Sequence, residues 1–154
     1  MSDYLKNLEI AMNNAKRLSN KILLEGKLSL PLTLKKIKVI NPSTGEEIGE
    51  APQCDKNDVE VAVSSAETAF HKWKKIPARE RGKMMTAAAR KLEERKEEIE
   101  TLLALDTGNA LRTQAKPETA ASIELTHMFA GLAGEIKGEN YPSNIPNTIH
   151  YTTK

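Results

Sequence analysis

The chain has 154 residues, of which 39% are hydrophobic, 29% charged and 4% aromatic, and this length and composition suit one globular domain. Its net charge of +2 and its single cysteine, Cys54, exclude a strongly basic nucleic-acid-binding protein, an internal disulfide framework and a cysteine-rich zinc site. No apolar run is long enough to span a membrane, and the N-terminus lacks a secretory signal. We therefore expect a cytoplasmic protein without nucleic-acid or membrane partners.

The N-terminal arm differs from the rest of the chain in charge. Residues 1–40 carry eight basic and three acidic side chains, whereas residues 41–154 carry fifteen and eighteen. Apolar residues in the arm recur every three or four positions, which predicts an amphipathic helix over residues 3–24, with Gly26 at its end. We assign residues 1–27 to this helix, either docked on the surface or serving as a targeting or assembly element. Its stripe consists of Leu5, Leu8, Met12, Ala15, Leu18 and Ile22.

An extended region follows the arm. Apolar residues alternate from Leu28 to Ile40, which predicts strand, although Pro31 limits the first part to an edge strand or an irregular segment. Turn-forming residues at 41–46 and a short apolar run at 47–52 predict a hairpin. Lysines 35, 36 and 38 are either a phosphate-contacting patch or a solvated strand face, and the lack of interleaved aromatic residues favours the latter.

Three helical segments are predicted downstream. The first begins near Asp55 or Asp58, either of which can cap its free amides. The second follows Pro77 and continues through Leu103, and the third begins at Pro117 and closes at Gly138. Their apolar stripes are Val59, Ala62, Val63, Ala66, Ala69, Phe70 and Trp73; Met85, Ala88, Leu92, Ile99, Leu102 and Leu103; and Ala121, Leu125, Met128, Phe129, Leu132 and Ile136.

The end of the third helix and the final segment carry two further predictions. Gly131 and Gly134 lie within the predicted third helix, and glycine in a helix costs up to about 1 kcal/mol, so we expect a close backbone contact there. Residues 148–153 alternate like a strand that has no partner downstream.

The residues by themselves offer no catalytic constellation. Glu124 and His127 have helical metal-ligand spacing but lack a second such pair. Gly131 and Gly134 sit within a predicted helix, where their amides are already bonded and cannot cradle a phosphate. Cys54 lacks an identifiable base or oxyanion hole, so we interpret it as an incidental thiol.

A resemblance extends this interpretation. The segment 39–52, VINPSTGEEIGEAP, resembles the N-terminal signature of the NAD(P)-dependent aldehyde dehydrogenase superfamily. Later landmarks resemble that family in the same order, and together they cover residues 39–139, about two-thirds of the chain. They are Asp58-Val59 with Ala62, Ala66, Ala69-Phe70 and Trp73; PARERG at 77–82; LEERKEEI at 92–99; LDTG at 105–108; FAGL at 129–132; and Gly138-Glu139.

The resemblance implies an α/β fold of the aldehyde dehydrogenase type, of which this chain is an incomplete, predominantly α-helical portion with a small β-hairpin and a terminal strand. Residues 28–154 would form the N-terminal segment of that domain, flanking the nucleotide-binding sheet. Residues 149–153 would begin a strand of the oligomerisation element. Two features depart from the family pattern: Gly108-Asn109-Ala110 replaces Gly-Lys-Pro, and the family's N-terminal lead-in usually lacks the long helix predicted at residues 3–24.

The resemblance also implies what this chain lacks and one site that it retains in part. The family's catalytic asparagine, cysteine and glutamate and its cofactor turn have no counterparts here, so we expect NAD or NADP not to bind this chain alone. Some members bind a potassium or sodium ion through main-chain oxygens and an aspartate. The matching positions are Val39, Ile40 and Asp106, and hard oxygen ligands suit such an ion, although a helix-terminal turn role for Asp106 is favoured.

Two functions remain open. The first is the N-terminal fragment of an aldehyde dehydrogenase, an oxidoreductase that converts an aldehyde to a carboxylic acid with NAD(P), the chain alone being inactive. The second is a non-catalytic interaction module that pairs with another chain through its helices and terminal strand. Under the first, we expect a homo-oligomer or association with the missing downstream part, and exposed apolar stripes that destabilise the isolated chain.

Overall fold

The structure, a computed structural model, describes the backbone of residues 2–153 and the side chains of residues 6–153. Leu5 of the predicted first stripe therefore lies outside the described side chains. Five α-helices and three separate two-stranded antiparallel sheets account for the regular structure in this range. In chain order the elements are α1 Ser2–Leu18, β1 Ile22–Leu24, β2 Lys27–Ser29, β3 Lys36–Ile40, β4 Glu47–Pro52, α2 Lys56–Trp73, α3 Ala78–Glu94, α4 Lys96–Thr107, a π-helical turn Leu111–Ala115, α5 Lys116–Leu132, β5 Asn140–Tyr141 and β6 His150–Tyr151.

The first helix is shorter than predicted. It ends at Leu18, and the residues assigned to its last turns form the β1–β2 hairpin, in which Ile22 pairs with Ser29. Asn20 adopts a φ of 55°, which is incompatible with helix continuation. Glu25 and Gly26 then take φ values of 50° and 76°, as the two central residues of a tight hairpin turn require. The prediction of a helix to residue 24 was therefore wrong.

The predicted β3–β4 hairpin is confirmed. Lys36 pairs with Pro52 and Val39 with Gly49, and a bulge between Val39 and Ile40 shifts the register so that Ile40 pairs with Glu47. Gly45 has a φ of 76° in the connecting turn, a conformation that glycine adopts without a steric penalty. The turn beyond the bulge contacts the end of α4 through Ser43 and Gly108.

The predicted second helix is two helices. Arg95 has φ −112° and ψ 18°, outside the helical region, so α3 ends at Glu94 and α4 begins at Lys96. Glu97 and Glu98 occupy the first turn of α4, where the helix dipole favours carboxylates. The apolar stripe continued across this break, which is why periodicity alone missed it.

The last helix and the final segment also differ from the predictions. Pro117 lies in the first turn of α5 as expected, but α5 ends at Leu132 and not at Gly138. The final strand has a partner, because β6 pairs with β5 through Tyr141 and His150. A Cβ on Gly138 would collide with the Thr152 carbonyl oxygen, so this glycine permits the close approach of the two chain segments.

Two small buried groups hold the helices together. Ala11, Ile48 and Leu105 join α1, β4 and α4, with Leu8 and Met12 packed against them. The other group lies on α3 and α5 and includes Gly82, Ala89, Ile123 and Ala130. None of the described large side chains is more than 98% buried, so the core consists mainly of small residues.

The expected close contact at Gly131 and Gly134 is wrong, because nothing lies within 4 Å of a Cβ added at either position. The tight contact is at Gly82 of α3, where an added Cβ would lie 2.6 Å from the Ala130 carbonyl oxygen of α5.

Candidate functional site

The turn of the β3–β4 hairpin is built against the C-terminal end of α4. Asn41 is buried, and its side-chain oxygen accepts a hydrogen bond from the Ser43 amide at 2.9 Å. Ser43 Oγ in turn donates to the Gly108 carbonyl oxygen at 3.1 Å. These contacts fix the turn that follows Val39 and Ile40 beside the turn that follows Asp106.

Gly108 makes this seating possible. It ends α4 with a φ of 72°, and its amide donates to the Ala104 carbonyl oxygen. A Cβ at this position would lie 2.8 Å from Pro42 Cγ and 2.9 Å from Ser43 Oγ. The glycine therefore satisfies both a left-handed backbone and a close approach to the hairpin.

A cavity of about 430 Å³ opens where α1, the β3–β4 hairpin and α4 meet. Val39 and Asp106 line it together, while Ile40 is the next residue along the strand and is not among the lining residues. Apolar side chains dominate the walls, with Ser19, Glu50 and Asp106 as the polar side chains. The apolar members are Ala15, Leu18, Val39, Ile48, Ile99, Leu102, Leu103 and Leu105.

The three residues expected at a cation site thus belong to adjoining segments, and the structure brings two of them to one cavity. Asp106 is exposed at the end of α4, and Val39 and Ile40 flank the bulge that disturbs the β3–β4 ladder. Carbonyl and carboxylate oxygens are the right donors for a monovalent cation, but three are too few to enclose one. The residues fit part of such a site.

The other candidates from the sequence lie on the surface. His127 of α5 lies 3.2 Å from Glu93 of α3. Among the side chains of residues 6–153 no group of three potential metal ligands is found, and Glu124 and His127 are not joined by a third. Cys54 is exposed in the connection between β4 and α2.

The structure contains two buried carboxylates, Asp58 and Glu100, whose structural roles were not predicted from the sequence. Asp58 is 2% exposed and accepts hydrogen bonds from the Leu32 amide at 2.6 Å, the Thr33 amide at 3.3 Å and the Asp55 amide at 3.2 Å. Asp55 is the N-cap of α2, so the two aspartates form a capping box. The Asp-x-x-Asp spacing at 55–58 was the available signal.

Glu100 is the second buried carboxylate. It is 4% exposed on α4, and one of its carboxylate oxygens lies 3.9 Å from Lys96 Nζ. The two residues border a polar cavity of about 310 Å³ together with Asn7, Leu111 and Lys116.

Local hydrogen bonds shift the pKa values of two other ionisable groups, Glu98 and Tyr141. Arg95 donates to Glu98 and lowers the pKa of that carboxyl, and Arg17 of α1 adds to the effect at 3.1 Å. A hydrogen bond to Glu139 raises the pKa of Tyr141. Both groups act locally, one holding α1 on α4 and the other lying within the β5–β6 ribbon.

Neither Gly131 nor Gly134 is placed to cradle a pyrophosphate. Gly131 lies inside α5, where its amide belongs to the helix, and Gly134 follows the helix in a turn. A pyrophosphate cradle needs glycine amides that are free at the start of a helix.

No helix within residues 2–153 has the length and apolar character that a membrane crossing requires.

The same arrangement of short hairpins and packed helices is found in solved structures of larger proteins. The structure matches betaine aldehyde dehydrogenase from Staphylococcus aureus in complex with NAD+ with a TM-score of 0.82 and 31% identity, over 93% of this chain and 29% of that one. HpcC from Thermus thermophilus matches with a TM-score of 0.84 at 21% identity, over 91% of this chain and 27% of that one, which is a likeness of fold alone.

Sequence comparison gives the same result. The profile of the aldehyde dehydrogenase family matches residues 31–154. Aldehyde dehydrogenase tropH of Talaromyces stipitatus is 34% identical over 84% of this chain, and human cytosolic 10-formyltetrahydrofolate dehydrogenase is 32% identical over 89%. The chain belongs to the aldehyde dehydrogenase family. It spans 25% and 16% of the length of these two relatives.

Proposed function

We propose that this chain supplies the N-terminal part of an NAD(P)-dependent aldehyde dehydrogenase that oxidises an aldehyde to a carboxylic acid, and that it is inactive by itself. The supporting observation is the family match over residues 31–154 in a chain whose match spans 25% and 16% of the length of the two curated relatives. In this proposal its role is to pack against the parts that bind the cofactor and carry the nucleophile.

The surface of the helices supports a packing role. The outer side of α5 presents Leu125, Met128, Phe129 and Leu132, each 46–55% exposed. The outer side of α2 presents Val59, Val63 and Phe70, each more than half exposed. Apolar surface of this kind on two helices is typical of a face that another part of a protein covers.

The proposed inactivity of the isolated chain rests on the chemistry of its one thiol. A cysteine nucleophile needs a base or a polarising neighbour and a group that stabilises the oxyanion. Cys54 lies in an exposed connection, and its neighbour Asp55 uses its carboxylate to cap α2. Cys54 is thus unsuited to form the thiohemiacetal from which hydride would pass to the cofactor.

The test is reconstitution. The purified chain is mixed with NAD or NADP and a panel of aldehydes, and we expect no reduced cofactor. Adding the downstream remainder of a homologous enzyme should restore turnover if the chain supplies the N-terminal part. Turnover by the chain alone that is lost in Cys54→Ser would overturn the proposed inactivity. Failure of several remainders to bind the chain would overturn the packing role.

A matched pair of variants locates the packing face. We expect the double variant Phe129→Gln and Leu132→Gln to weaken reconstitution by at least about tenfold, since each loses a large apolar contact. The double variant Leu30→Gln and Leu34→Gln changes apolar residues elsewhere and should reconstitute normally. If the Leu30 and Leu34 variant reconstitutes less well than the Phe129 and Leu132 variant, the packing face does not lie on α5.

The alternative function, a non-catalytic interaction module, was suggested chiefly by a final strand without a partner. The final strand that was expected to lack a partner is paired within the chain. The exposed helix faces remain compatible with either function, and recovery of turnover on reconstitution is the result that favours the enzyme.

We also propose that Val39 and Ile40 through their carbonyl oxygens, and Asp106 through its carboxylate, contribute to a potassium or sodium site completed by the remainder of the enzyme. The shared cavity of Val39 and Asp106 supports this. In the reconstituted enzyme, replacing potassium and sodium by choline should lower the melting temperature, and Asp106→Asn should remove that dependence. An ion dependence unchanged in Asp106→Asn would exclude this residue.

Location and assembly complete the proposal. A reducing cytoplasm suits an exposed free thiol such as Cys54. Association with the remainder, or between copies of the reconstituted enzyme, is measurable by sedimentation. A monomeric reconstituted enzyme would exclude the proposed homo-oligomer.

A further inference from the structure

The segment that runs from Leu28 in β2 to Leu34, just before β3, presents its apolar side to solvent. Leu28, Leu30, Leu32 and Leu34 are 48%, 70%, 70% and 92% exposed, and we call these four residues the leucine ridge. The residues between them, Ser29, Pro31 and Thr33, are partly buried. This is the reverse of the usual arrangement, in which the apolar side of an alternating segment faces the protein.

Asp58 fixes this orientation. Its buried carboxylate accepts the Leu32 and Thr33 amides, and at the far end of the segment the Lys35 carbonyl oxygen accepts the Gln53 amide at 2.9 Å. A shift of one residue would turn the leucines inward. It would also remove these hydrogen bonds and leave the buried Asp58 carboxylate without them. The outward leucines are therefore part of the folded structure.

The backbone in the middle of the leucine ridge has no free amide hydrogens. Pro31 has no amide hydrogen, and the amides of Leu32 and Thr33 are already bonded to Asp58. Three consecutive residues therefore expose no free backbone amide hydrogen, which lowers the cost of placing this backbone in an apolar phase.

Positive charge surrounds the ridge. Residues 21–38 contain five lysines and one glutamate, so the net charge of this stretch is five minus one, or +4. Lys36 and Lys38 are held by Glu50 and Glu47 at 2.7 and 2.8 Å. Lys21, Lys27 and Lys35 are exposed at the two ends of the leucine ridge.

We propose that the leucine ridge docks reversibly on an anionic lipid surface, with the leucines entering the interface and the exposed lysines contacting the headgroups. Apolar residues flanked by lysines fit such a surface, and anionic lipid is concentrated on the cytoplasmic leaflet. The inference is independent of the proposed enzymatic role. It departs from the expectation of no membrane partner, which considered the charge of the whole chain.

Charge argues against a second copy of the chain as the occupant, and the shape of the ridge argues against a peptide. An antiparallel pairing of two ridges about Pro31 would place Lys27 of one copy opposite Lys35 of the other, and like charges directly opposite are destabilising. A peptide partner is favoured by a groove, whereas Leu30, Leu32 and Leu34 project with 70–92% of their surface exposed. A fluid interface adapts to such a projection.

The first experiment is co-sedimentation of the full chain with vesicles of phosphatidylcholine alone and of phosphatidylcholine with an equal amount of phosphatidylserine. We expect partition into the anionic vesicles only, and a loss of at least about tenfold in the triple variant Leu30→Gln, Leu32→Gln and Leu34→Gln. The matched variant Leu125→Gln, Met128→Gln and Leu132→Gln alters exposed apolar residues of α5 and should bind like the parent.

Charge is tested in the same assay. The double variant Lys27→Glu and Lys35→Glu should lose binding to the anionic vesicles, whereas Arg112→Glu with Lys116→Glu should not. Equal partition into both vesicle types, or no partition, overturns the proposal. Loss of self-association or of an acidic peptide complex in the ridge variant, without vesicle binding by the parent, assigns the ridge to a protein partner instead.

A positional label gives a second readout. In a Cys54→Ser background, an environment-sensitive fluorophore on Leu32→Cys should shift to the blue with anionic vesicles, and the same fluorophore on Leu125→Cys should not. A shift at residue 125 alone would show adsorption through α5 and would contradict the proposal.

Discussion

The two sides of α5 have opposite compositions and opposite surroundings. The side that packs on α3 carries Thr119, Ile123 and Ala130, all buried, while the outer side carries Leu125, Met128, Phe129 and Leu132, all about half exposed. Periodicity identified the outer side as the apolar stripe, and the family resemblance led to the expectation that the isolated chain exposes it. The packed side is composed largely of small residues, because α3 approaches closely at Gly82. Close helix contact and large apolar side chains are thus separate properties, and here they lie on opposite sides of one helix.

The largest expected difference between the two sides comes from truncating one residue on each. Ile123→Ala removes a side chain that is 6% exposed and should cost about 3 kcal/mol of unfolding free energy, since it leaves a cavity between α3 and α5. Leu125→Ala, on the outer side, should cost less than about 1 kcal/mol. Urea unfolding monitored by circular dichroism measures both. Equal losses would mean that the outer side is packed in solution.

Two glycines sharpen the comparison. Gly82→Ala introduces a Cβ against the Ala130 carbonyl oxygen and should destabilise the protein by about 2 kcal/mol, even though alanine favours the helix by about 1 kcal/mol. Gly131→Ala places a Cβ in open space and should stabilise α5 by up to about 1 kcal/mol. The same unfolding assay serves here, and a stabilising Gly82→Ala would refute the close crossing.

A smaller effect concerns the packing of α1 on α4. Hydrogen bonding by Arg95, with help from Arg17, lowers the pKa of Glu98 in the folded protein. The stabilisation is therefore present above the ordinary glutamate pKa and is lost as the pH falls through the lowered folded-state pKa. We expect Glu98→Gln to lose less than about 1 kcal/mol at neutral pH and nothing in strong acid. A difference that does not vary with pH would exclude this charge effect.

Local signals in the sequence predicted the parts of the fold whose determinants are neighbours in the chain. The turn at 41–46, the Asp55 cap and Pro117 each specify their elements with residues a few positions apart, and these predictions are confirmed. The break at Arg95 and the pairing of β5 with β6 depend on backbone geometry that the apolar pattern does not record. Asp58 was read as a possible cap, but its bonds to residues 32 and 33 join distant segments. The grouping of Val39, Ile40 and Asp106 came from family resemblance, and the structure brings Val39 and Asp106 to one cavity.

The smallest expected change in folding free energy concerns the outer side of α5 itself. Replacing Leu125, Met128 and Leu132 by glutamine keeps good helix formers on an exposed surface, so the free energy of unfolding should change by less than about 1 kcal/mol. Association should change much more, because half-exposed apolar side chains on α2 and α5 favour contact between molecules. We expect the parent to unfold in a broad transition that depends on protein concentration, and the triple variant to be monomeric by sedimentation with a concentration-independent transition. If the parent is already a monomer with a sharp transition, its apolar faces need no cover, and the proposed packing against the remainder of a dehydrogenase loses its physical basis.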